Sequence, residues 1–114
     1  MGIVTTATDR HQACIDACTA CAQACFECMK ACLEEPDVEE RTHCIAMLVE
    51  CALSCQHSAA LMSMSSMHAH QHCSLCAEIC SECADHCGRF QDDHCPKCAE
   101  VCRRCAEECR AMAA

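Results

Sequence analysis

The spacing of the cysteines constrains the fold of this chain more than any other feature of the sequence. The first group, from Cys14 to Cys32, steps by 4, 3, 4, 3 and 4 residues, and two later groups step by 3, 4, 3 and 4. A sparser middle group steps by 7 and 4 residues. A residue type that recurs at alternating intervals of three and four lies on one face of an α-helix. Each group therefore predicts a helix with one thiol-lined face.

The cysteines share this helical register and are treated as one set of candidate metal ligands. They are Cys14, Cys18, Cys21, Cys25, Cys28, Cys32, Cys44, Cys51, Cys55, Cys73, Cys76, Cys80, Cys83, Cys87, Cys95, Cys98, Cys102, Cys105 and Cys109.

The residues between the cysteines favour helices, since Ala, Glu, Gln, Met, Lys and Arg dominate and Gly and Pro occur twice each. We expect Asp37 to Glu40 to form a capping box that opens the second helix, and Asp92 or Asp93 to cap the fourth. The serines of residues 63–67 mark the turn between the second and third helices. The predicted helices are residues 9–34, 37–63, 67–89 and 93–112.

Four helices with short links predict an all-α fold, an antiparallel four-helix bundle with a cysteine-lined core. The length of the chain fits a single domain over residues 1–114. Leu, Ile, Val and Phe account for only 15 of the 114 residues, and Trp and Tyr are absent. A core of small thiols buries too little apolar area to offset chain entropy. We therefore expect metal–thiolate bonds to stabilise the interior.

The choice of metal follows from geometry and charge. Thiols at i and i+4 have Cβ atoms about 5–6 Å apart, wider than the ~3.5–4.5 Å of a disulfide, so pairs within one face do not bridge. Zinc needs closed sets of four ligands, and iron–sulfur clusters need characteristic cysteine runs. Thiolate-rich sites select Cu(I), and about one ion per thiolate neutralises a core with no nearby Lys or Arg stripe. Zinc or iron–sulfur binding remains the alternative.

The charge of the chain excludes several partners. With 8 Lys and Arg against 17 Asp and Glu, the net charge is −9, which argues against nucleic acids and anionic membrane surfaces.

The sequence contains no run of about 18 apolar residues, so it does not predict a membrane helix. The N-terminal residues lack the basic and apolar regions of a secretory signal, so we expect a cytoplasmic protein. In a reducing cytosol, cysteines indicate metal or redox chemistry.

Redox chemistry is the second hypothesis for the thiols. A redox-active cysteine pair needs a thiolate activated by a basic group or a helix N-terminus. Here the CxxC pairs recur within helices, and only Cys102-Arg103-Arg104-Cys105 has such basic neighbours. The sequence shows no nucleophile, base and orienting group and no phosphate loop, so we expect no enzyme.

Four motifs carry a resemblance to a known family. They are His43-Cys44-Ile45, Cys51-Ala52-x-x-Cys55, Cys73-x-x-Cys76-Ala77-x-x-Cys80-x-x-Cys83 and the tail from His94-Cys95-x-x-Cys98-Ala99 to Cys109-Arg110-x-Met112-Ala113-Ala114. On these motifs the chain resembles the cytosolic copper storage proteins, the cysteine-lined four-helix bundles of bacteria. The resemblance implies storage of many Cu(I) ions inside each bundle, a cytosolic location and a homotetramer. We expect the protein to store and detoxify Cu(I), and the acidic surface makes a copper chaperone a candidate partner.

An up-down bundle also gathers methionines and histidines at its two ends. One end holds His11, Met62, Met64, Met67, His68, His70, His72 and Met112. The other holds His43, His86 and His94 beside cysteines, with Leu33 and Phe90 expected to close it. Thioether and imidazole bind Cu(I) more weakly than thiolate, which suits a mouth. We favour the methionine-rich end as the mouth and take Met62, His70 and His94 as candidate supplementary ligands. The alternatives are apolar plugging by the methionines and solvent exposure of the histidines.

Overall fold

Four α-helices follow one another along the chain. The computed structural model describes residues 2–3 and 9–113. The elements are α1 (Asp9–Leu33), a 3₁₀ helix (Val38–Arg41), α2 (Thr42–Ser63), α3 (Ala69–Cys87) and α4 (His94–Ala113). No strand occurs in this part of the chain, so the all-α prediction is confirmed. Ala114, the last residue of the tail motif, lies outside the described residues.

The helices form a closed ring in which each packs against two others. Both α1 and α3 pack against α2 and α4. Contacts between thiols show in which direction neighbouring helices run. The Cys14 sulfur near the start of α1 lies 3.9 Å from the Cys109 sulfur near the end of α4. At the opposite end, Cys32 near the end of α1 lies 3.5 Å from Cys95. The bundle is therefore antiparallel, as predicted, and it measures 47 × 25 × 17 Å.

The second helix begins differently from the prediction. The Asp37 carboxylate makes no capping hydrogen bond to the backbone and instead accepts the Nε–H of Arg41 at 2.7 Å. Residues 38–41 form the 3₁₀ helix, and α2 begins at Thr42. The predicted capping box is therefore wrong, because the arginine four residues later recruits the carboxylate.

The two remaining links are closed by local hydrogen bonds. After α2, Ser65 adopts a positive φ of 52°, which is uncommon for a residue other than glycine. The Ser66 amide then donates to the Leu61 carbonyl at 2.9 Å. Before α4, Asp92 accepts the backbone N–H of Cys95 at 2.6 Å, so Asp92 caps this helix as predicted. These short links hold the ends of neighbouring helices together.

The 3₁₀ helix and α2 together form the most apolar long segment of the described bundle. By length and composition alone, Val38–Ser63 is apolar enough to cross a membrane, although it contains no unbroken run of about 18 apolar residues. Part of this apolar character comes from Cys44, Cys51 and Cys55, which are buried in the bundle. A core helix of a globular protein meets the same criterion.

Candidate metal-binding site

The interior of the bundle is lined by sulfur. All nineteen cysteines are free thiols, and each exposes 3% or less of its surface. Their register on the four helices directs every one of them to the common axis, as the spacing predicted. Few large apolar side chains share this interior with them, Leu48 and Met62 being the largest that are fully buried.

The thiols meet mainly between helices. Sulfur–sulfur distances across the interior run from 3.5 Å, between Cys32 and Cys95, to 4.0 Å, between Cys25 and Cys98. A disulfide needs about 2.05 Å. Two sulfurs on one ion, with bonds of about 2.3 Å, lie about 4 Å apart in trigonal or tetrahedral geometry. The sulfurs therefore already lie at the spacing of ligands to a shared metal ion.

The thiols form overlapping groups whose ligand atoms all lie within 4.8 Å of one another. The groups include Cys21–Cys55–Cys80–Cys105, Cys21–Cys25–Cys51–Cys102, Cys28–Cys32–His94–Cys95, Cys14–Cys73–Cys109 and Cys18–Cys55–Cys76. Cys21 and Cys55 each belong to two of these groups. Contacts between groups add to these shared members, since the Cys18 sulfur lies 3.7 Å from that of Cys109. The thiols therefore form a column of sulfur, unlike the separate closed sets of four that structural zinc sites require.

The sparse cysteine pattern of α2 has a simple structural explanation. Leu48, Ser58 and Met62 are fully buried and continue the three–four register of the cysteines on this helix. Three lumen positions of α2 are therefore occupied by side chains other than thiols. Among the described groups, the Ser58 hydroxyl has no hydrogen-bond partner. Sequence reasoning missed these positions, although extending the register through residues 44, 48, 51, 55, 58 and 62 would have found them.

Adding a thiol at position 58 gives a first prediction. Ser58→Cys should raise the Cu(I) capacity by about one ion, because it adds a soft ligand to the column. It should also stabilise the apo protein by about 1 kcal/mol, since it removes a buried hydroxyl without a partner. Anaerobic titration and urea unfolding measure the two effects. The matched control is Ser74→Cys on the exposed side of α3, and equal gains from both variants would contradict the assignment of Ser58 to the lumen.

His94 lies where the sulfur column reaches the surface at one end. Its side chain is 26% exposed. Its Nδ1 lies 3.4 Å from the Cys28 sulfur and 3.5 Å from that of Cys95. On the other edge of the ring, Nε2 lies 3.2 Å from the Glu35 carboxylate. When Nε2–H donates to Glu35, Nδ1 directs its lone pair at the thiols, an arrangement typical of histidine ligands.

Arg41 is a buried cation that the sequence analysis did not identify. Its side chain is 6% exposed and donates to Asp37 at 2.7 Å and to Asp92 at 2.6 Å. One guanidinium nitrogen also lies 3.5 Å from the sulfurs of both Cys32 and Cys95. The expectation that no Lys or Arg lies near the thiols is therefore wrong at this end. The signal was present in the acidic residues around Arg41, but its partner Asp92 is 51 positions away.

Hydrogen bonds around Arg41 stabilise the charged forms of the arginine and of its partner Asp92. Burial disfavours charge on Arg41, but hydrogen bonds to Asp37 and Asp92 outweigh it and raise the pKa of the guanidinium. Burial likewise opposes charge on Asp92, but the Cys95 amide and Arg41 lower the pKa of that carboxyl. Burial and the Cys32 thiol raise the pKa of Cys95, so this sulfur is protonated without metal and releases its proton when an ion binds.

This end is closed by Arg41 and not by Leu33. Leu33 is 50% exposed, so its predicted closing role is wrong. The Arg41 guanidinium lies over the Phe90 ring, 4.4 Å from its centroid. Phe90 is half-buried against the core, as a closing residue should be. His43 and His86 pair nearby, with ring centroids 4.7 Å apart.

At the methionine-rich end, two methionines are buried and two are exposed. Met62 and Met112 are buried, at 0% and 3% exposure, and close the lumen. Met64 and Met67 lie in the turn and are 68% and 89% exposed. His70 is also exposed. Of the three candidate supplementary ligands, the structure therefore brings His94 into contact with thiols, places Met62 in the core and leaves His70 at the surface.

Comparison with known proteins agrees with this architecture. The family model of copper storage proteins matches residues 7–114. A relative from Bacillus subtilis strain 168, the uncharacterized cysteine-rich protein YhjQ, is 43% identical over 103 residues, covering 90% of this chain and 95% of the relative.

Two solved structures extend the comparison. The Cu(I)-bound copper storage protein BsCsp3 is 42% identical, with a TM-score of 0.89 over 93% of this chain and 100% of its own. A cytosolic copper storage protein from Streptomyces lividans, solved with five coppers, is 36% identical, with a TM-score of 0.89 over 92% of each chain. The resemblance seen in the sequence motifs is thus confirmed, and so is the fold.

Proposed function

The chain belongs to the copper storage protein family, and from this premise we propose that it stores and detoxifies Cu(I) on the thiolates inside its bundle. One observation carries the proposal: nineteen buried free thiols form a column of overlapping metal-sized groups. A core built for packing alone would use larger apolar side chains, which bury more area per residue. The capacity we propose is on the order of one ion per cysteine.

Copper(I) suits this column better than other metals. It accepts two or three sulfurs, whereas zinc needs four in a closed tetrahedron. Overlapping groups that share Cys21 and Cys55 can serve ions of low coordination number along the whole column. Each monovalent ion also cancels the charge of one thiolate, which keeps a buried interior close to neutral. Arg41 supplies a further positive charge beside Cys32 and Cys95.

Anaerobic titration with Cu(I) against a strong chelator tests the proposal. The reduced protein should take up many ions, on the order of one per thiol counted in parallel, and remain colourless. Protein with its thiols blocked by alkylation is the control and should bind almost none. Saturation at one to four ions would contradict storage. Turnover of a disulfide substrate by the metal-free protein would instead favour the redox hypothesis. Visible colour with iron, or zinc without colour, in elemental analysis would favour the iron–sulfur or zinc alternative.

The cellular setting is part of the same proposal. We place the protein in the cytoplasm as a homotetramer without enzymatic activity, with a copper chaperone as the candidate donor. The relative from Streptomyces lividans is a cytosolic copper storage protein, which supports the location. Sedimentation of the purified chain tests the tetramer, and cell fractionation tests the compartment.

His94 gives a prediction about copper entry, at the end opposite the methionine-rich one that the sequence favoured as the mouth. Because its imidazole is partly exposed and also contacts Cys28 and Cys95, it can accept an ion from solvent and pass it to sulfur. His94→Gln should slow Cu(I) uptake from a chelator by at least about tenfold, since loss of even an outer-shell partner costs a metal site about that much, while total capacity falls by no more than one ion. Stopped-flow uptake measures the rate. His43→Gln at the same end is the control, and equal rates for wild type and His94→Gln would contradict entry through His94.

A further inference from the structure

A second group of metal-binding side chains lies outside the lumen, on the surface formed by α2 and α3. His57 on α2 and His72 on α3 lie side by side, with ring centroids 4.3 Å apart and ring planes at 49°. His68 precedes His72 by four residues, so it lies on the same side of the start of α3. The three histidines line one shallow groove together with Leu61, Gln71 and Leu75. No cysteine lines this groove.

The tautomer of His72 is fixed by the backbone of α2. Its Nε2 lies 3.1 Å from the carbonyl oxygen of Ser54. A carbonyl oxygen can only accept a hydrogen bond, so Nε2 carries the proton and Nδ1 retains its lone pair. Metal-binding histidines commonly donate their second ring N–H to a backbone carbonyl, which fixes the ring and makes the ligand nitrogen more basic. His72 is therefore oriented as a ligand before any ion binds.

The other two imidazoles can complete a site around His72. His57 and His68 are exposed, so each can turn about its side-chain torsions to direct a nitrogen at a shared ion. Leu61 and Leu75 line the same groove and give it an apolar side. The net charge of −9 favours cations near the surface in general.

From these contacts we propose that His57, His68 and His72 form a surface site for one divalent transition-metal ion, with Zn²⁺ as the representative. Imidazole nitrogens suit borderline divalent ions, whereas thiolates select soft Cu(I). The groove therefore differs in chemistry from the sulfur column, and the two are loaded independently. Water completes the coordination of the ion, since three imidazoles leave an open position in a tetrahedral site.

The experiment uses the full-length protein loaded anaerobically with Cu(I), so that the thiols are occupied, and then titrated with Zn²⁺. Equilibrium dialysis with elemental analysis should find one zinc per chain. Histidine ¹⁵N NMR should show shifts of the His57 and His72 ring nitrogens. His57→Gln should weaken zinc binding by more than about tenfold, at least what the loss of an outer-shell partner costs a metal site. His43→Gln, which removes one ring of the other histidine pair, is the matched control and should bind zinc like the wild type.

Three results would overturn the site. They are the absence of bound zinc in the copper-loaded protein, zinc binding without movement of the His57 and His72 ring signals, and equal zinc affinity in wild type and His57→Gln. Because His57 is exposed, its replacement leaves the core intact, and an unchanged Cu(I) capacity of the variant verifies the fold. The ring signals report on the imidazoles whatever the thiols hold, so failure of copper storage and failure of this site are read separately.

Discussion

Replacing Arg41 by alanine is expected to destabilise the metal-free bundle by about 3–5 kcal/mol, the cost of breaking a buried ion pair from one side. The substitution leaves Asp92, whose side chain is only 11% exposed, without its cation. It also removes the donor beside the Cys32 and Cys95 sulfurs and the contact with the Phe90 ring. Urea unfolding of the reduced apo protein, followed by circular dichroism, measures the loss.

Two further variants serve as comparisons: an exposed ion pair and a version of the cluster without its charges. Lys30→Ala breaks the Lys30–Glu34 pair, whose side chains are 69% and 67% exposed, and should cost less than about 1 kcal/mol because solvent screens such pairs. Arg41→Met combined with Asp92→Asn should recover part of the loss, since no unpaired buried charge remains. An Arg41→Ala variant as stable as Lys30→Ala would show that the cluster contributes little to the fold.

Copper loading is expected to raise the unfolding temperature by more than about 20 °C. Each ion held at a hundredfold excess over its dissociation constant adds about 2.7 kcal/mol, and a domain of this size gains a few degrees per kcal/mol. A few tightly bound ions are therefore enough, and the sulfur column offers many more positions. Differential scanning calorimetry of apo and loaded protein under anaerobic conditions measures the shift.

The thiols shared between groups provide the control for this prediction. Replacing Cys21 and Cys55 by serine removes ligands from three of the overlapping groups and should lower the copper-induced shift by at least about a third, because each bound ion contributes separately. Replacing the exposed serines Ser63 and Ser74 by alanine should leave the shift unchanged. Equal unfolding temperatures for apo and loaded wild type would mean that the ions lie outside the core.

The sulfur-lined bundle could be predicted because its signal is periodic and local. Alternating steps of three and four place the cysteines of one helix on one face, and the burial of all nineteen follows from packing four such faces together. The cap of α4 by Asp92 was equally local, since the carboxylate and the amide that it accepts are three residues apart. His94, which directly precedes Cys95, was a candidate ligand for the same reason.

The features that escaped prediction depend on contacts between distant parts of the chain. Arg41 pairs with Asp92, 51 residues away, and this contact places the arginine at the end of the bundle that Leu33 was expected to close. The lost capping box is the local exception, since Asp37 pairs with Arg41 only four residues later. Likewise, His57 and His72 meet only because α2 and α3 pack side by side. Ser58 is a different case. Its position in the three–four register is visible in the sequence, but a serine does not by residue type indicate a position in the lumen.

Diffraction at the copper absorption edge, from crystals of the Cu(I)-loaded protein, tests most directly whether soft ions fill the interior. We expect anomalous peaks in a row along the axis between the four helices, each bonded to two or three sulfurs at about 2.3 Å. Peaks confined to the outer surface, or sulfurs joined to one another as disulfides, would contradict copper storage inside the bundle.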